Sequence, residues 1–138
     1  MIFHRITATL IGGTSVPGTS YIIKGVGSRR GEAALVYLIP NRSAPGRPRE
    51  KGVTEAEFNQ AYGELLNSGS FSRMWFSAHL QNCAKEGPCN FLFIGGVFVE
   101  LGVARHSRGI FSLKRAERRP RSSEVDRPPQ ARNRIEAP

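Results

Sequence analysis

The chain has 138 residues, a formal net charge of +9 and 39% apolar residues, enough for one small core but below the usual globular share. The charge is uneven: residues 1–104 hold ten Lys and Arg against seven Glu, and residues 105–138 hold ten against four acids. No Asp occurs in the first 125 residues, which argues against two-metal phosphoryl-transfer sites, calcium loops and Asp-based triads, since these rely on its short carboxylate.

No apolar run reaches the roughly 18–20 residues of a membrane span, and Met1-Ile2-Phe3-His4-Arg5 lacks the divided charged and apolar regions of a signal peptide. The expectation is a cytoplasmic protein in which Cys83 and Cys89 are reduced thiols.

Three β-rich runs open the chain: Ile6 to Ile11, Tyr21 to Val26 and Ala33 to Ile39. Gly12-Gly13, Pro17-Gly18 and Gly27-Ser28-Arg29-Arg30-Gly31 break it between them, so residues 1–40 read as a three-stranded antiparallel meander. Leu35-Val36-Tyr37-Leu38-Ile39 is apolar throughout and predicts a strand covered on both faces. Residues 41–53 are polar and rich in Pro and Gly. They carry Arg42, Arg47, Arg49 and Lys51 against Glu50, and read as a basic loop.

Thr54 and Glu57 have the spacing of a capping box. Phe58, Ala61, Tyr62, Leu65 and Leu66 follow on one helical face until Asn67-Ser68-Gly69. Ser70 or Ser72 caps a second helix, predicted to bury Phe71, Met74, Trp75 and Ala78 and to end before Cys83. Asn90 to Leu101 allows two readings, a hairpin turning at Gly95-Gly96 or a helix with Phe91, Ile94, Phe98 and Leu101 inward. Two mid-helix glycines cost about 1 kcal/mol each, yet Glu100-Leu101-Gly102-Val103 reads as helix end, stop and strand start, which favours the helix. Val103–His106 and Ile110–Leu113 are then short strands around Ser107-Arg108-Gly109. From Arg115 onward the chain has four prolines counting Pro138 and no apolar periodicity, so residues 115–138 are expected to form a disordered basic tail on a single domain, 1–114.

Little here carries catalytic chemistry. Gly25-Val26-Gly27 leads into a turn and not a helix, so it is no dinucleotide fingerprint. His79, Cys83, Cys89 and His106 could in principle hold zinc, but the two cysteines stand six apart, wider than the usual knuckle, and each His is alone. We expect no metal, cofactor or catalytic residue. Arg29, Glu32 and Tyr37 form at most a small polar cluster, which leaves a small-ligand binder as a further alternative.

The order of elements in 54–114, a helical trio closed by a basic hairpin, resembles the winged-helix superfamily, and FVELGVARHSRGIFSLK (98–114) is its most similar stretch. Meander and helices together predict an α+β fold with the meander packed on the trio, and the resemblance implies nucleic-acid binding. Sixteen of the twenty basic residues are Arg, whose fork matches phosphate oxygens, although a GC-rich coding bias would give the same count. The candidate recognition helix departs from the family by offering Leu92, Phe93 and Val99 where polar base readers belong. Nucleic-acid contacts would then fall to backbone phosphates through Arg105, His106, Arg108, Lys114, Arg115, Arg42, Arg47, Arg49 and Lys51. The alternative is a protein-interaction or homodimer face made by Leu92, Phe93 and Val99.

Overall fold

The computed structural model describes residues 1–44 and 46–114, and the expected tail lies outside them. The first run expected as a strand is a helix, α1 (Ile2–Thr9). Ile6 and Leu10 stand four apart, a spacing that suits both periods. Ile2 and Phe3, one turn earlier, settle it, because all four side chains are buried together only on a helix.

The antiparallel three-stranded sheet is present but displaced along the chain. β1 (Ile22–Arg29) pairs with β2 (Glu32–Ile39), and β2 pairs on its other edge with β3 (Arg49–Thr54). The third strand thus comes from the segment expected to be loop. β2 leaves a second edge of backbone donors and acceptors to satisfy, and the charges of β3 are tolerated because they sit at the sheet margin. Glu50 meets Lys24 and Arg29 across the sheet, while Lys51 Nζ donates to the Glu86 carbonyl at 2.7 Å.

α2 (Glu55–Ser68) starts at the expected capping box: the Glu57 amide donates to Thr54 Oγ1 at 3.2 Å and Glu57 Oε1 accepts from the Thr54 amide at 2.9 Å. Phe58, Ala61 and Leu65 are buried, and Tyr62 and Leu66 half-buried. Then come β4 (Ser70–Ser72), α3 (Arg73–His79) and α4 (Gln81–Glu86). Ser72 caps α3 by accepting from the Trp75 amide. Starting the helix at Arg73 sets its phase so that Phe76 and the following Leu80 are buried, whereas Met74 and Ala78, expected inside, are exposed. Cys83, expected beyond the helix, is buried within α4.

Residues 89–100 form a helix, α5 (Cys89–Glu100), followed by the hairpin β5 (Ala104–Ser107) and β6 (Ile110–Leu113). β4 adds to that hairpin in the order β4-β6-β5. The two central glycines of α5 allow close approach: a Cβ on Gly95 would overlap the Phe111 ring, and one on Gly96 would overlap Val16. Tyr37 of β2 stacks on Phe93 with ring centroids 3.7 Å apart. Its hydroxyl donates to Asn90 Oδ1 at 2.6 Å, and Asn90 Nδ2 donates to the Cys83 carbonyl at 2.9 Å. α5 therefore has the first sheet on one flank and the hairpin on another, within one hydrophobic cluster that runs from Ile2 to Leu113.

The packing sets the sign of three substitutions. Gly95→Ala should lower stability by about 1–3 kcal/mol through overpacking against Phe111. Gly63→Ala, on an α2 position where an added Cβ meets nothing within 4 Å, should raise it by about 0.5–1 kcal/mol. Thermal melts of the two variants check both signs. Tyr37→Phe keeps the stack but leaves Asn90 Oδ1 buried without its donor, a loss of about 1–3 kcal/mol measurable by urea unfolding.

Candidate functional site

The glutamates divide the basic residues into two groups. Arg30, in the β1–β2 turn, pairs with both Glu57 and Glu86, and Lys24 and Arg29 share Glu50. Arg42, Arg47, Arg49, Arg105 and Arg108 are exposed and make no ion pair among the described residues. Lys51 is half-buried and committed to the Glu86 carbonyl. Lys114 is half-buried at the far end of the hairpin from its tip, where its amide donates to the Val103 carbonyl. Arg115 lies outside the described residues.

The unpaired arginines gather toward the N-terminal end of α5. Arg49 begins β3 opposite Ile39. Together with Arg73 it lies within electrostatic reach of the Tyr21 hydroxyl; burial raises the Tyr21 pKa, the Cys89 thiol adds to the rise, and the two arginines oppose it. Sequence reasoning missed Arg73. Its guanidinium lies 4.6 Å from the Phe91 centroid, and Nη1 donates to the Pro88 carbonyl at 3.2 Å. A cation three residues before a buried Phe was the available sign, but Phe91 lies far away in sequence. Phe111 meets Phe91 edge-on at 5.3 Å, and the exposed His106 ring stacks on Phe111 at 4.2 Å and 13°.

The hairpin tip is a two-residue turn in which Arg108 (φ 52) and Gly109 (φ 77) are both left-handed, as a primed turn requires. Since Phe111 packs on Phe91 and on the Gly95 position, the tip lies beside the first turns of α5 and not its last. The structure thus brings Arg49, Arg73, His106 and Arg108 to one end of the fold. It leaves Lys114 away from them and withdraws Lys51 into a backbone contact.

The expected interaction face is occupied within the chain. Phe93 is fully buried under Tyr37, and Leu92 and Val99 are half-buried against the core. The same burial removes α5 as a groove reader. The Arg29–Glu32–Tyr37 cluster also comes apart: Arg29 and Glu32 face each other at the hairpin end, and Tyr37 points inward near the opposite end. The Cys83 thiol and the Tyr37 hydroxyl are buried inside. Burial first, and then Glu57, holds the Cys83 thiol well above its ordinary range; burial and the Cys89 contact do the same for the Tyr37 hydroxyl. Neither is an activated nucleophile. Among the described residues no group of His, Cys, Asp and Glu converges as metal ligands would, and no helix is long and apolar enough to cross a membrane.

No protein-family model, curated protein or solved structure matches this chain. Function has to be read from the surface itself.

Proposed function

We propose that this protein binds nucleic acid through backbone phosphates, using the basic end of the fold formed by the hairpin tip, Arg73 and the start of β3. The observation that carries the reading is the separation of charges. Each ion pair formed by a described Glu lies on the outer sheet face or at the α2–α4 junction, while Arg49, Arg105 and Arg108 stay unpaired and exposed. A guanidinium without a carboxylate partner is ready to accept a phosphate in its fork. The order of α2, α3, α4, α5 and the β5–β6 hairpin supports a winged-helix reading of 54–114. Burial of α5 shifts the work from base edges to phosphates, so discrimination between sequences is expected to be low.

Arg42 and Arg47, exposed between β2 and β3, extend the charge toward the same strand end as Arg49. The ten Lys and Arg of residues 105–138 outnumber their four acids and add to the attraction. Binding is expected to be electrostatic, with log K falling linearly as log salt rises. Arg105→Ala and Arg108→Ala should each flatten that slope by about one and weaken binding equally on unrelated sequences. Fluorescence anisotropy over a salt series on two unrelated oligonucleotides measures both. A hundredfold preference for one sequence, or no binding at low salt, would overturn the reading.

A further inference from the structure

We infer that the nucleic acid accepted at this end is single-stranded, with an unpaired base laid on the exposed ring of His106. The inference deepens the phosphate-binding reading and rests on it. Its own support lies in the flat groups beside the unpaired arginines. His106 stacks on Phe111 nearly parallel, at 13°. Phe111 is itself buried, fitted against the bare Gly95 position and against Phe91 and Phe71. The imidazole plane is therefore set by the core, although the residue is exposed.

A second flat group lies on the same aromatic cluster. The Arg73 guanidinium covers Phe91, and Phe91 meets Phe111 edge-on at 63°, so Arg73 and His106 are exposed flat groups resting on adjoining rings of that cluster. Exposed π surfaces interleaved with cations suit unstacked bases, because every base has a face to stack and none has to be read by its edge. A duplex hides those faces and presents grooves, and the helix that would enter a groove is walled in by Tyr37 and Phe111. Alternation along β5 puts Arg105 on the face opposite His106. Arg105 can thus meet a phosphate of either kind of nucleic acid without touching a stacked base.

The test is fluorescence anisotropy of the full chain at low salt with a dye-labelled fifteen-residue oligothymidylate and a fifteen-base-pair duplex. The oligothymidylate should bind more tightly than the duplex. His106→Ala should weaken its binding between about five- and a hundredfold, the range of one lost base stack, and weaken duplex binding by a clearly smaller factor. His106→Phe keeps a flat ring and should restore the single-strand affinity. Arg105→Ala should weaken both ligands alike. Fluorescence from Trp75, the single tryptophan, which packs on Phe71, confirms that each variant is folded. Equal or tighter duplex binding, or an equal loss on both ligands from His106→Ala, overturns the base-stacking inference while leaving the phosphate reading intact. Failure of both oligonucleotides to bind overturns the two together.

Discussion

The seating of α5 constrains almost everything else in the fold. An all-round apolar helix must be buried on every side, and this chain supplies the walls from distant parts of its sequence. Tyr37 covers Phe93, Phe111 fills the space over Gly95, and Val16 does so over Gly96. Without the first sheet the Phe93 flank would be an apolar face open to water. The sheet is therefore no accessory to the helices and hairpin of 54–114, and a buried polar link crosses that flank from Tyr37 through Asn90 to the Cys83 carbonyl. Such a link fixes the register of strand against helix more sharply than apolar packing alone, because any slip leaves a buried group unpaired.

Covering α5 also decides where charge can act. The ion pairs of Glu50, Glu57 and Glu86 serve the joints between elements: Glu50 ties β1 to β3, while Glu57 and Glu86 draw the β1–β2 turn onto α2 and α4. The Glu50 pairs are exposed and add little stability individually, whereas the Arg30–Glu57 pair sits on a buried carboxylate. Their larger consequence is subtraction, since they remove Lys24, Arg29 and Arg30 from the pool of free cations. Of the exposed arginines left without an ion pair among the described residues, Arg49 stands where β3 begins and Arg108 where the hairpin turns.

Much of the local structure was legible in the sequence because it depends on neighbours in the chain. The Thr54–Glu57 box, the strand over Leu35 to Ile39 and the hairpin around Ser107-Arg108-Gly109 all reappear, and the α+β class with them. What escaped depended on distant partners. α1 was read as a strand because Ile6 and Leu10 fit either period, and its burial against Phe58 of α2, with Phe3 at 6.1 Å, is nonlocal. β3 looked like a loop because an edge strand can be polar where cross-strand partners neutralise it. Leu92, Phe93 and Val99 looked like an open face because the strand residue that covers Phe93, Tyr37, stands 56 residues earlier in the sequence. Of the candidate site, Arg49, Arg105, His106 and Arg108 could be named from charge and turn pattern. Arg73 could not, since its role comes from resting on Phe91.

The two Arg-Gly turns show why local pattern alone cannot assign such a site. Arg30-Gly31 and Arg108-Gly109 have the same backbone, φ 52 and φ 77 in each. In both, an arginine occupies a left-handed position that Asn or Gly would fill at lower cost. At Arg30 the cost is offset by two carboxylates, Glu57 and Glu86, which use the guanidinium to hold the first sheet against the helices. At Arg108 no described carboxylate is within pairing distance, so among the described residues no ion pair offsets the choice of Arg there. The same turn is a structural clasp where acids surround it and an outward-facing cation where they do not. That difference lies in the surroundings and not in the turn itself, which recurs 78 residues apart, from Arg30 to Arg108.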